Sequence, residues 1–218
     1  MVTHLGAAIK YHPSHLQQPE QWDLLKQAKV VFVSGFFLTS SAESAQLAAE
    51  NAAATNQIFA FNLTAPFVAQ FYKDALLKLM PYWDYVIGNE AEFEAFATAM
   101  EWNLGQNDLA EITRRVALLP KTNTKRNRVV ICTHGALPTI IAHAHADGTA
   151  TVTEHPVISI KPEDIVDTNG AGDAFVGGFL SQLVKDKPIE ECVRAANYAA
   201  FTVIQHDGCT FPEKHSFA

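Results

Sequence analysis

The chain has 218 residues, 48% of them hydrophobic and 18% charged, enough to bury one sizeable core, so a single domain over 1–218 is expected. A formal net charge of −7 lacks the basic excess that nucleic acid or a membrane surface selects, which excludes both as expected partners but leaves room for a local anion site. No apolar run has membrane-span length and no hydrophobic leader is evident, and the three widely spaced cysteines, Cys132, Cys192 and Cys209, read as reduced thiols of the cytoplasm or nucleus.

In chain order, residues 4–8 read as a strand end and turn, and 18–28 as a short helix with Leu24, Leu25 and Ala28 on one side. Lys29-Val30-Val31-Phe32-Val33 is a buried-strand pattern stopped by Ser34-Gly35, after which Ser40 caps an alanine-rich helix to about residue 54. Residues 58–61 form the next strand, ended by Asn62. Asn62-Leu63-Thr64 is formally a glycosylation sequon, read here as chance. Pro66 opens a helix to about residue 80, 85–87 is a strand, and 90–100 a helix. A helix over 108–119 leads through the basic stretch 121–128, read as a solvated connection, into a strand at 129–132. Weaker strands at 139–142 and 150–154 form a hairpin around Asp147-Gly148, and a last long helix covers 189–204 with Cys192, Ala195, Ala196 and Ala199 inward.

Strands alternating with helices indicate an α/β chain with a mainly parallel sheet. Ligands of such sheets bind beyond the carboxyl ends of the strands. Gly35-Phe36, Asn62, Asn89, Thr133-His134-Gly135 and residues 169–173 all follow predicted strands, so one rim is expected to collect them. No internal repeat or interdomain linker is evident.

Asp167-Thr168-Asn169-Gly170-Ala171-Gly172-Asp173 follows the apolar pair Ile165-Val166 and opens a helix with Ala171, Ala174, Phe175, Gly178 and Leu183 on its inner face. Glycines before a helix allow a sharp turn, and first-turn N–H groups attract an anion. Asp173 is then a carboxylate beside an anion site, which suits phosphoryl transfer; a glycine-rich turn capped by Asp and Asn fits the same residues. Phe175 stands where a dinucleotide fingerprint needs its third glycine, and no P-loop occurs. Asn89 and Glu92, three apart, fit either an N-cap or an oxygen pair on one helix face. His143 and His145 share a strand face, but zinc needs further ligands and none has suitable spacing.

The run from Asp167 through Asp173 and on to Ala174-Phe175-Val176-Gly177-Gly178-Phe179 resembles the signature of the ribokinase-like (PfkB) carbohydrate and nucleoside kinases. Residues 177–185 and Gly208-Cys209-Thr210-Phe211-Pro212-Glu213-Lys214 are similar to the members that phosphorylate adenosine, and the likeness covers essentially the whole chain. The resemblance implies a three-layer α/β/α fold and ATP-dependent phosphorylation of the adenosine 5′-hydroxyl to AMP, a purine-salvage reaction. It implies Asp173 as base, and backbone amides of Asn169, Gly170, Ala171 and Gly172 as an anion hole. Asn62, Thr133, Gly135 and Asn197 would contact the nucleotide, and Asn89 with Glu92 would organise Mg²⁺ through water. Phe36 and Phe67 would sandwich the adenosine base, unless they are core residues. Asp167 would join a K⁺ site, unless it is a turn cap.

Met1 falls within that family's domain. N-terminal strands, ribose contacts and a lid are therefore expected to be missing, leaving a sheet edge bare and the chain prone to self-association where the complete enzyme is a monomer. A non-catalytic ATP-binding fragment or regulatory module, and a sugar kinase of the same superfamily, are the alternatives.

Overall fold

The predicted apolar runs become strands because β-branched and aromatic side chains suit a sheet covered on both faces. The computed structural model describes residues 5–102, 104, 108–214 and 216–217. Strands β1 (Val30–Ser34), β2 (Ile58–Asn62), β3 (Tyr85–Asn89), β4 (Val129–His134), β5 (Leu137–Ala144) and β6 (Ala150–His155) form one sheet in sequential order. The first four are parallel, with Val30 opposite Ile58, Ala60 opposite Tyr85 and Tyr85 opposite Val129. β4 turns back into β5 through Gly135 (φ +55°) and Ala136, and β5 into β6 across the expected Asp147-Gly148 turn. β1 is an outer strand, with Phe32 exposed.

The described residues divide into two compact units. The first runs to Thr133 and includes Ile140–Thr153. Its helices are α1 (Pro13–Leu16), α2 (Pro19–Gln27), α3 (Leu38–Thr55), α4 (Pro66–Phe71), α5 (Lys73–Leu79), α6 (Glu90–Ala99) and α7 (Leu109–Ala117). Its core is aromatic: Phe59, Phe61, Trp83, Phe93 and Phe96 are fully buried, and Trp83 stacks on Phe61 at 5.1 Å. Ala45, Ala49 and Ala52 are the buried face of α3, and their small size lets that helix approach closely. The second unit comprises His134–Thr139 and the chain from Glu154 onward. Its helices α8 (Ala171–Leu183) and α9 (Ile189–Val203) bury Ala174, Phe175, Phe179, Leu183, Cys192, Ala195 and Ala196; Ala199 is half-buried. Among the described residues no helix is long and apolar enough to cross a membrane.

Several expectations change. Residues Gly6–Lys10 form a 3-10 turn instead of a strand end, and Leu24 is exposed. The cap of the alanine-rich helix is Ser41, not Ser40: Ser41 leaves helical geometry (φ −156°, ψ 85°) and its Oγ accepts from Ser44 N–H. The helix expected over 66–80 breaks at Tyr72 into α4 and α5. Ile165 and Val166 are not a strand; they are exposed, and Val166 N–H donates to Ile204 O beyond α9.

The stretch 121–128 is the largest correction. Arg128 is 1% exposed, and its five N–H groups donate to the carbonyls of Trp83, Val116, Leu119, Met80 and Pro120. Lys121 and Arg126 both pair with the buried Asp84. Thr122, Thr124, Lys125 and Asn127 are exposed as expected, but Lys121, Arg126 and Arg128 form an interior clamp at the amino ends of β3 and β4, where loop ends leave carbonyls that a forked donor can reach.

Candidate functional site

At the carboxyl ends of the parallel strands, Ser34 lies opposite Asn62 and Asn89 opposite Thr133. The four strand ends of the first unit therefore do form one rim. Asn62 Oδ1 accepts from the Thr64 hydroxyl at 2.7 Å. Phe36, 46% exposed, and Phe67 have ring centroids 5.5 Å apart and planes tilted by 56°. Rings at that separation touch each other, so no base fits between them in this arrangement. The sandwich is corrected to a contacting pair that offers the open face of Phe36.

Asn89 and Glu92 make a complete capping box. Asn89 Oδ1 accepts from Glu92 N–H at 2.9 Å, Glu92 Oε2 accepts from Asn89 N–H at 3.0 Å, and Glu92 Oε1 accepts from Asn89 Nδ2 at 2.9 Å. Glu92 is only 5% exposed. A Cβ on Gly88 would stand 2.9 Å from Glu92 Oε2, so glycine is needed for the carboxylate to seat there. The Thr133 hydroxyl donates to Gly88 O at 3.3 Å, joining β4 to the same cluster. Burial, reinforced by Glu90, Glu92 and Glu94, pushes the neighbouring Cys132 thiol up to about 12.

These oxygens suit a divalent ion that keeps most of its water, since one carboxylate and one amide cannot make an all-protein cage. No group of three His, Cys, Asp or Glu that could hold a metal occurs among the described residues. His143 and His145 do lie together, with ring centroids 5.6 Å apart, and His145 Nε2 bonds Thr151 Oγ1.

In the second unit, Asp167 holds the signature turn. Its Oδ1 accepts from Asn169 N–H at 2.8 Å and its Oδ2 from Gly208 N–H at 3.2 Å. The Asn169 hydrogen bond, then that from Gly208, lowers its carboxyl below the ordinary range. The turn-cap role is the one this geometry displays. Gly170 sits at φ +78° as the N-cap of α8, and a Cβ on it would meet Cys209 Sγ at 2.5 Å, so conformation and space both require glycine.

Two of the four expected anion-hole amides are engaged: Asn169 N–H with Asp167, and Ala171 N–H with Thr168 O at 3.3 Å. Among the described residues, the N–H groups of Gly170, Gly172 and Asp173 have no hydrogen-bond partner. These donors open a 13-residue helix, at the positive end of its dipole. Asp173 is exposed in that first turn. Asn197 is 8% exposed and its Nδ2 donates to Pro156 O at 3.3 Å, a tie within the unit that accounts for its burial.

Sequence reasoning missed Thr64, Gly88 and Cys209. Gly88 had a signal, as a glycine just before the Asn-x-x-Glu pattern. Thr64 lies two residues past Asn62 and Cys209 lies in the run 208–214, but the contacts that give them a role, with Ser34 and Gly35 and with Gly170, come from far along the chain.

The sequence profile of the pfkB family carbohydrate kinases matches residues 1–216. Adenosine kinase 2 of Arabidopsis thaliana is 48% identical over 217 residues, spanning 100% of this chain and 61% of that protein. Adenosine kinase of Schizosaccharomyces pombe is 41% identical over 212 residues, spanning 97% and 60%. Among solved structures, Anopheles gambiae adenosine kinase in complex with a di(adenosine) tetraphosphate superposes with a TM-score of 0.91 at 46% identity, covering 97% of this chain and 60% of that one. Adenosine kinase from Schistosoma mansoni in complex with 2-fluoroadenosine gives 0.90 at 33% identity, covering 98% and 61%. The chain thus spans about three-fifths of the length of these relatives.

Proposed function

This chain belongs to the pfkB family of carbohydrate kinases, and from that premise we propose that it carries the phosphoryl-transfer machinery of an ATP-dependent kinase acting on the 5′-hydroxyl of adenosine. The observation that carries this reading is the start of α8, where three amides without a partner among the described residues and the exposed carboxylate of Asp173 share one helical turn. Relatives called adenosine kinase, at 48% and 41% identity, support the choice of nucleoside.

Asp173 accepts the 5′-hydroxyl proton as the new oxygen–phosphorus bond forms, and ADP departs with the electrons of the broken bond. A positioned base of this kind contributes about 10²–10⁴-fold. Gly170 and Gly172 N–H groups stabilise charge on the transferring phosphoryl, each worth roughly 10²–10³ in rate. Asn62, Thr133 and the Gly135 backbone bind nucleotide phosphate, and the open face of Phe36 stacks on the adenosine base. Asn89 and Glu92 would hold Mg²⁺ through water, and the ion would offset the charge of the phosphates. Potassium is left out, because the hydrogen bonds of Asp167 are those of a turn cap.

The test is ADP release by this chain with Mg-ATP, with and without adenosine, beside Asp173→Asn. Adenosine-dependent turnover that falls about 10²–10⁴-fold in the variant supports the reading. Retention of more than about a tenth of the rate removes Asp173 as base. Turnover with a hexose or ribose but not adenosine would favour a sugar kinase. ATP binding without turnover on any acceptor would favour a binding module.

A further inference from the structure

Thr64 occupies backbone space that a β-branched residue rarely takes. Its φ is +71°, and Ala65 N–H donates across it to Leu63 O at 2.8 Å. The three residues form the strained hand of the γ-turn, with a positive φ at its centre. Such strain persists only where neighbouring contacts over-determine it, and it gathers at functional positions.

Those contacts converge on the Thr64 hydroxyl. Gly35 N–H donates to Oγ1 at 2.9 Å, Ser34 Oγ lies 2.9 Å away, and Asn62 Oδ1 lies 2.7 Å away. A hydroxyl has one proton and two lone pairs. The hydroxyl proton faces two acceptors of Asn62, Oδ1 at 2.7 Å and the backbone O at 3.1 Å, of which the side-chain oxygen is the nearer, and the lone pairs receive Gly35 N–H and Ser34 O–H. Ser34 Oγ in turn accepts from Phe36 N–H at 3.4 Å. An unbroken relay therefore runs from the Phe36 backbone through Ser34 and Thr64 to the Asn62 amide. Every hydrogen-bonding position of the Thr64 hydroxyl is used.

The consequence falls on Asn62. With Oδ1 committed to Thr64, Nδ2 is the edge without a partner among the described residues, and it carries two N–H donors. The reversed amide would put a carbonyl oxygen there and repel an anionic oxygen. We infer that Thr64 is a positioning residue: its hydroxyl selects the donor edge of Asn62 for a nucleotide phosphate, and its strained turn locks that choice to the Gly35-Phe36 end of β1. This rests on the nucleotide-binding role proposed above.

The experiment measures Mg-ADP affinity of the full chain by calorimetry for Thr64→Val, Thr64→Ser, Asn62→Ala and the double variant Asn62→Ala/Thr64→Val. Valine keeps the β-branched shape and loses the hydroxyl, and serine keeps the hydroxyl. Thr64→Val is expected to weaken binding about ten- to a hundredfold, the value of a hydrogen bond to a charged group, while Thr64→Ser stays within about twofold. The double variant should bind no more weakly than Asn62→Ala, because Thr64 acts through Asn62. Equal binding by Val and Ser variants, or additive losses in the double variant, overturns the inference while the proposed function stands. Absence of ADP binding by the unsubstituted chain overturns both. Asn62→Asp gives a reading that does not depend on how Thr64→Val folds: it still accepts from Thr64 but offers oxygen in place of N–H. Wild-type affinity in Asn62→Asp also overturns the inference.

Discussion

Replacing Arg128 by lysine tests whether the forked side chain, and not its charge, holds the amino ends of β3 and β4. In the structure all five guanidinium N–H groups are used, on Trp83 O, Val116 O, Leu119 O, Met80 O and Pro120 O. Burial pushes Arg128 down to about 10, which still leaves it charged at neutral pH. Lysine keeps the charge but has three N–H donors, so at least two of the five carbonyls lose theirs. An unsatisfied buried acceptor costs about 1–3 kcal/mol, so the loss should be about 2–6 kcal/mol. Val116 O and Met80 O also accept from Leu119 N–H and Trp83 N–H, which favours the lower half of that range. The assay is urea unfolding followed by far-ultraviolet circular dichroism, with the midpoint falling and the slope unchanged. A loss under about 1 kcal/mol would show that the carbonyls find water or tolerate exposure, and would refute the reasoning.

Two further predictions concern titration and access. Hydrogen bonds from Arg114, then Arg115, hold the Glu111 carboxyl at about 2, against an ordinary 4.5. A folded pKa below the unfolded one stabilises above about pH 4.5, and the contribution disappears as pH falls through about 2. The three side chains remain 24–42% exposed, so screening reduces the effect, and Glu111→Gln should cost about 0.5–1 kcal/mol at pH 7. The Tm gap to the parent should narrow between pH 4.5 and 3; a gap that widens there would contradict the sign. Burial pushes Cys132 up to about 12 and Cys192 up to about 11, whereas Cys209 is exposed. Ellman's reagent at pH 8 should therefore modify one thiol in the folded chain and all three in denaturant. Rapid reaction of a second thiol before unfolding would count against the burial described for Cys132 and Cys192.

Much of the fold was legible because its signals are local. The capping box of α6 needs only Asn89 and Glu92, three residues apart, and both the spacing and the residue types are visible in the chain. The Gly170 turn is similarly local, since glycine is the residue that takes φ +78° ahead of a helix without strain. Where a boundary was misplaced, two neighbours competed for one role. Ser40 and Ser41 are equally good caps by type, and packing selected Ser41. The basic stretch 121–128 read as solvated because charge predicts exposure on average. Arg128 escapes the average by meeting carbonyls 8 to 48 positions away.

The sequence by itself determined the α/β alternation, the family signature, and the carboxylate and glycines that begin α8. Only the three-dimensional structure shows which donors lack a partner among the described residues: those of Gly170 and Gly172 but not Asn169 or Ala171, and the Nδ2 edge of Asn62, whose side-chain oxygen is engaged. The physical reason is that each polar group has a fixed number of hydrogen bonds to give. Asp167 engages Asn169 and Thr64 engages Asn62 from only two residues away, but folding alone brings Ser34 and Gly35 onto Thr64 and Gly208 onto Asp167.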